Sequence, residues 1–294
     1  LISSIFGVIF QITKSFSNWL EVNNSSEACQ EEPMNIVVIP ARYGSTRFPG
    51  KPLALINGRS MIWHVYQRCL TAKSIDVVWV ATDDERIYRE VKGWGGKAMM
   101  TRPDHPSGTD RVAEVASKVP CDIVVNVQGD EPLIDPVIID AVAGPLLQTP
   151  SIGITTPVVR IKSHEELFDP SIAKVTRDKK GFALYFSRAP IPFARDHELY
   201  SVYPKADGDK VIENSDLKGL PLFRHIGLYG YSRKALFRFC ELPPSGLELA
   251  EKLEQLRALE NGMPILTIEV DYSGIGVDTP EDLKRVEQIM RSMV

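Results

Sequence analysis

The chain has 294 residues, 44% of them hydrophobic and 24% charged, with a formal net charge of −4. This composition suits a soluble globular enzyme and excludes the basic field that holds a nucleic-acid backbone. Four scattered cysteines (Cys29, Cys69, Cys121, Cys240) and five dispersed histidines exclude a disulfide framework and a structural zinc site, and point to a reducing, cytoplasmic setting.

Residues 1–33 open with LISSIFGVIFQITKSFSNWL and end in a polar, acidic stretch. Ser3, Ser4, Gln11 and Lys14 interrupt the apolar part, which falls short of the about 20 apolar residues of a membrane span. No basic leader or small-residue cleavage site of a secretory signal is present. Two readings stay open: an amphipathic helix for a membrane surface or a partner, or an extension that is disordered or not native. Met34 is the expected natural start, residues 34–294 are the expected domain, and no stable membrane insertion is expected.

From Met34 the pattern is regular. Residues 35–39 (NIVVI) read as a buried strand ending at a glycine-rich loop, and 60–72 as a helix capped by Ser60. A strand at 76–81 leads to polar Thr82-Asp83-Asp84, then a helix at 85–92 and a strand at 97–100. A helix at 109–119 turns Val112, Val115 and Val119 inward. The strand 122–127 (DIVVNV) ends at Gln128-Gly129-Asp130-Glu131-Pro132. Strands alternating with helices predict an α/β fold with a mostly parallel sheet flanked by helices, whose ligands bind beyond the carboxyl ends of the strands.

The second half changes character. It predicts a strand at 152–160, a hairpin of 174–176 and 182–186 around Asp178-Lys179-Lys180-Gly181, and a Pro-, Gly- and charge-rich excursion over 189–220. A strand at 223–231, a helix at 247–260 and a strand at 264–270 follow. Thr279-Pro280-Glu281-Asp282 starts a last helix, with Thr as cap and Pro in the first turn.

Two features carry chemistry. The loop after the first strand holds Arg42, Gly44, Ser45, Arg47, Gly50 and Lys51. Glycines let backbone amides approach an anion, and three cations would neutralise a triphosphate and a departing pyrophosphate. It is not a Walker A loop, because five residues separate Gly44 from Gly50 and Pro52 follows Lys51. The second feature is acidic. Asp130, at a strand's carboxyl end, and Asp278, just before the last helix, are candidate Mg²⁺ ligands.

The segments IPARYGSTRFPGKPL, VATDD, MTRPDHPSGTDR, VNVQGDEPLI, ALYFSRAPIP, RHIGLYGY, LEQLRALENG and GVDTPEDL occur in that order. Together they resemble the 3-deoxy-manno-octulosonate (KDO) cytidylyltransferases, or CMP-KDO synthetases, over residues 34–294. The resemblance implies a Rossmann-like nucleotidyltransferase domain with a smaller antiparallel dimerisation element, and a cytoplasmic, Mg²⁺-dependent homodimer. The implied reaction transfers CMP from CTP to KDO, releasing pyrophosphate and activating the sugar for lipopolysaccharide biosynthesis.

By position, the resemblance implies that Arg42, Ser45, Arg47 and Lys51 hold the CTP phosphates. Thr82, Asp83, Arg102, Ser107, Gly108 and Gln128 would line the nucleotide pocket, and Asp130 and Asp278 would bind the metal. Gln128, Arg188, His225, Tyr229, Glu254 and Gln255 would face the sugar. Glu254 and Gln255 lie about 100° apart on the expected helix, so only one is expected to face the sugar directly. Asp110 stands where the family often has Glu, which leaves its role open. The competing readings are activation of another acidic sugar, such as a sialic acid, and a non-catalytic nucleotide sensor.

Overall fold

The first strand outlasts its apolar run: β1 (Asn35–Ala41) carries on through Pro40 into the glycine-rich loop. After it come β2 (Leu55–Ile56), β3 (Arg59–Ser60), α1 (Met61–Cys69), β4 (Val77–Thr82), α2 (Glu85–Gly93), β5 (Ala98–Met100), α3 (Gly108–Lys118) and β6 (Ile123–Asn126). The second half contributes α4 (Pro136–Gln148), β7 (Ile154–Arg160), α5 (His164–Phe168), β8 (Lys174–Arg177), β9 (Ala183–Ser187), β10 (Phe223–His225) and β11 (Tyr229–Ser232). It closes with α6 (Arg233–Cys240), α7 (Gly246–Glu251), α8 (Leu256–Glu260), β12 (Ile265–Glu269) and α9 (Pro280–Ser292). This computed structural model describes residues 34–44, 48–195, 217 and 219–292. The expectations for residues 1–33 lie outside the described residues, as do those for Ser45, Arg47 and most of the 189–220 excursion.

One large mixed sheet organises the domain, in the order β5-β4-β1-β6-β11-β7-β10-β8-β9, with β12 on β7. The half from β5 to β6 is parallel, as the alternating strands and helices predict. Antiparallel β11 joins it to the second half. Strand alternation sorts side chains to two faces. Val37, Ile39, Val78 and Val80 pack under α1, α2 and α4. Ile36, Val38, Ala81 and Val124 pack against α3, α6 and α8. Each fully buried aliphatic side chain stabilises the fold by about 1.5–3 kcal/mol, so these two layers hold the strand ends rigid for the loops above them.

The expected hairpin forms as β8–β9, and Asp178 Oδ1 accepts from Lys180 N and Phe182 N to fix its turn. Thr279 caps α9 reciprocally with Asp282: Asp282 N donates to Thr279 Oγ1 and Thr279 N to Asp282 Oδ2. Ser60 occupies the N-cap position of α1 but makes no side-chain cap bond.

Three expectations change. The strand expected over 223–231 is two strands, broken at Ile226-Gly227-Leu228, where Leu228 N turns back to donate to Ile226 O at 2.7 Å and Thr156 Oγ1 donates to Leu228 O at 2.8 Å. The helix expected over 247–260 is two short helices, parted where Lys252 takes a left-handed conformation at φ 55°. Finally, α4 and α6 occupy segments for which the periodicity gave no helix; Asp135 and Ser232 cap them by accepting from Val137 N and Ala235 N.

Candidate active site

β1 and β6 are parallel neighbours, so their following loops open at the same edge of the sheet. The approach is close. A Cβ at Gly129 would lie 3.1 Å from Pro40 O, so glycine lets the two strand ends meet. Gly50, at φ +71°, turns the chain into a short 3-10 turn that begins with Lys51.

Lys51 is the centre of the site. Its Nζ donates to Asp130 Oδ2 at 2.5 Å, to Val277 O at 3.1 Å and to Asp278 Oδ1 at 3.3 Å. Val277 N donates to Asp130 O at 2.8 Å, which ties the two acidic loops together. The two carboxylates, far apart in sequence, therefore share one ammonium. They open onto a cleft of about 440 Å³ that Arg42, Gly44 and Gln128 also line. Arg42 is exposed, with Nη2 3.5 Å from His105 O.

This donor set suits a hard cation. Mg²⁺ is typically held through one or two carboxylates and completed by substrate phosphates and water. Asp130 and Asp278 form such a pair. Among the described residues no group of three or more His, Cys, Asp or Glu side chains could hold a metal ion, so an ion here needs substrate oxygens to complete its shell.

The residues expected to line the nucleotide pocket cluster at the neighbouring strand ends, but several have internal partners. Thr82 is fully buried, and its Oγ1 accepts from Asp84 N. Asp83 pairs with fully buried Arg111 at 3.0 Å. The Arg102 side chain is exposed, and its backbone N donates to Glu114 Oε2. Ser107 caps α3, and Gly108 packs beside Pro40. Asp110 meets Ser107 twice: its backbone N donates to Ser107 Oγ, and that hydroxyl donates back to Asp110 Oδ2 at 2.7 Å.

The residues expected to face a sugar gather at β10, β11 and the α7–α8 break. Tyr229 lies opposite Asn126, whose Oδ1 accepts from Gln128 Nε2 at 3.3 Å. The His225 and Tyr229 rings are 5.3 Å apart, and His225 Nε2 lies 2.8 Å from Thr156 Oγ1. Burial pushes the His225 imidazole down to about 3 and the Tyr229 phenol well up, so both are neutral near pH 7. Burial also raises the Glu254 carboxyl, against the hydrogen bond from Thr109.

Because the helix breaks before them, Glu254 and Gln255 do not lie on one continuous helix, and the 100° spacing behind the expectation that only one faces the sugar does not apply. Among the described residues, the buried atoms Tyr229 Oη, Glu254 Oε1 and Gln255 Nε2 find no hydrogen-bond partner. Arg188 is engaged elsewhere. Its guanidinium donates to the carbonyls of Pro170, Ser171, Glu251 and Lys252.

Two participants escaped the sequence reading. Thr109 Oγ1 donates to Glu254 Oε2 at 2.9 Å and so joins the residues expected at the nucleotide to those expected at the sugar. Glu131, beside Asp130, accepts from Tyr272 Oη, and burial followed by the Asp130 charge raises its carboxyl to about 7. Glu131 was visible in the QGDEP run, whereas nothing in the sequence marked Tyr272.

The cytidylyltransferase family profile matches residues 36–266. The chain is 52% identical over 256 residues to the 3-deoxy-manno-octulosonate cytidylyltransferase of Syntrophotalea carbinolica, covering 87% of this chain and 98% of that protein. It is 49% identical over 254 residues to the enzyme of the same name from Geobacter sulfurreducens, covering 86% and 98%. Among solved structures it resembles a CMP:2-keto-3-deoxy-manno-octonic acid synthetase complexed with CTP, at a TM-score of 0.79 and 42% identity over 89% of this chain and all of that one. A Leptospira borgpetersenii cytidylyltransferase, at 16% identity and a TM-score of 0.55, shares the fold.

Proposed function

The chain belongs to the 3-deoxy-manno-octulosonate cytidylyltransferase family, and from that premise we propose how its residues divide the work. It transfers CMP from CTP to KDO, releasing pyrophosphate and activating the sugar for lipopolysaccharide biosynthesis. The observation that carries the division is Lys51 Nζ, set between Asp130 and Asp278 at the mouth of the cleft.

The sugar's anomeric hydroxyl attacks the α-phosphorus and pyrophosphate leaves in line. The protein's task is positioning and charge stabilisation. Arg42 and Lys51 neutralise the phosphate oxygens on which charge develops. Asp130 and Asp278 would hold Mg²⁺, which when bound polarises the α-phosphate and lowers the pKa of the attacking hydroxyl. His225 and Tyr229, kept neutral by burial, offer the sugar directional hydrogen bonds rather than charge. The unpartnered atoms of Tyr229, Glu254 and Gln255 suit a polyol that both donates and accepts. Exposed Leu184, Phe193 and Leu249 support a homodimer formed through the antiparallel half.

The test is pyrophosphate release from the purified chain with CTP and Mg²⁺, comparing KDO, N-acetylneuraminate and no sugar. Release only with KDO is expected. Release only with N-acetylneuraminate would move the substrate while keeping the chemistry, and no release with either would leave a nucleotide sensor.

A further inference from the structure

The phosphate loop is clasped from outside by groups that no step of the reaction uses. Gly50 N donates to Tyr43 O at 2.8 Å and closes the loop on itself. The Tyr43 ring then lies on Gly50 so tightly that a Cβ there would meet ring carbons at 3.0 Å. The Arg86 guanidinium carbon sits 3.2 Å from the centroid of that ring. Arg86 is itself fixed. Its Nε and Nη2 donate to the two carboxylate oxygens of Asp84 at 3.0 and 2.6 Å. Asp84 caps α2 by accepting from Arg86 N, and Asp84 N donates to Thr82 Oγ1.

We infer that Arg86 and Tyr43 form a latch that sets the position of Lys51 and thereby the grip on the β- and γ-phosphates. Lys51 follows Gly50 directly, so the ring that seats Gly50 also sets where the Lys51 stem begins. A planar cation held at two points over a ring is a stiff contact, and lysine cannot reproduce it. Arg86 and Tyr43 are thus positioning residues: they touch no reacting atom and act through Lys51. This inference rests on the cleft being the CTP site.

The test is calorimetric titration of the full chain, without sugar, using CTP and CMP as probes, since CMP lacks the two outer phosphates. Wild type is expected to bind both. Arg86→Ala, Arg86→Lys and Tyr43→Ala are expected to weaken CTP binding about three- to fivefold, the worth of an exposed cation–π contact, and CMP binding less than about twofold, while Tyr43→Phe, which keeps the ring, retains CTP affinity. The double variant Tyr43→Ala/Arg86→Ala is expected to be no worse than either single one, because both break the same contact. Circular dichroism checks that each variant is folded. Undiminished CTP affinity in Arg86→Ala, equal losses for CTP and CMP, or additive losses in the double variant would overturn the latch alone. A wild-type chain that binds no CTP would overturn the site reading, and the latch with it.

Discussion

Replacing Lys51 with methionine keeps much of its apolar stem and removes the ammonium that meets Asp130 at 2.5 Å and Asp278 at 3.3 Å. Two unit charges about 4 Å apart interact by about 4 kcal/mol at an effective dielectric near 20. The Asp278 side chain is half exposed, so solvent leaves that contact worth only about 0–1 kcal/mol. The Asp130 contact is more enclosed, and the net loss of fold stability should be about 1–2 kcal/mol. The larger effect lies in what remains: two carboxylates facing one niche without the ammonium they shared. A divalent cation should then stabilise Lys51→Met more than wild type, where the ammonium competes for the same oxygens. Thermal denaturation without nucleotide, at constant ionic strength, measures this directly. Metal-free Lys51→Met should melt below wild type, and MgCl₂ should raise its midpoint by the larger amount. Turnover should still fall about 10²–10³-fold, the usual consequence of losing a group aimed at developing charge. Equal Mg²⁺ shifts in both proteins would refute the shared niche, and undiminished turnover would remove Lys51 from the chemistry.

Tyr229→Phe removes one buried hydroxyl and should raise the KM for KDO about fivefold, the worth of a neutral hydrogen bond, with the KM for CTP unchanged; steady-state kinetics in both substrates decides. Glu131 titrates from an ordinary value of 4.5 to about 7 in the folded chain, so the folded state holds its proton the more tightly. Its contribution is therefore full below pH 4.5 and is lost as pH rises to about 7. At about 1.4 kcal/mol per pH unit, Glu131→Gln should gain up to about 3 kcal/mol on wild type across that window, and parallel stability curves would contradict it. Gly230→Ala would place a Cβ 2.5 Å from Thr155 Oγ1 and 3.1 Å from Val142 O. It should destabilise by about 1–3 kcal/mol, and a denaturant midpoint matching wild type would show that β11 can shift to admit a methyl group.

The parallel half was legible because each of its signals is local. The apolar run before the glycine-rich loop, the polar residues after the VVWVA run and the acid after DIVVNV all announce strand ends, and strand ends are where such sheets bind ligands. Lys51, Asp130 and Asp278 could each be singled out, but not their meeting. Lys51 is separated from the two acids by 79 and 227 residues, and only the sheet order and the Val277–Asp130 backbone bond bring them together. The α7–α8 break was hidden for a different reason: no glycine or proline marks it, and a lysine carries the left-handed turn. The start of α4 carries a readable signal, Asp135 as cap before Pro136 in the first turn.

What no pattern could display is dissatisfaction. A buried polar atom without a partner costs about 1–3 kcal/mol, and Tyr229, Glu254 and Gln255 each hold one such atom. Elsewhere the fold satisfies even fully buried Lys174, which donates to the carbonyls of Asp169 and Ile172. The same fold that completes Lys174 leaves one atom incomplete on each of these three side chains: Tyr229, opposite Asn126 in the sheet, and Glu254 and Gln255 at the α7–α8 break. Other buried atoms, such as Trp94 Nε1 and Arg111 Nε, are also unpartnered among the described residues, so it is the gathering of three such atoms beside His225 that favours a hydroxylated ligand, which would supply the missing partners and recover that cost as affinity.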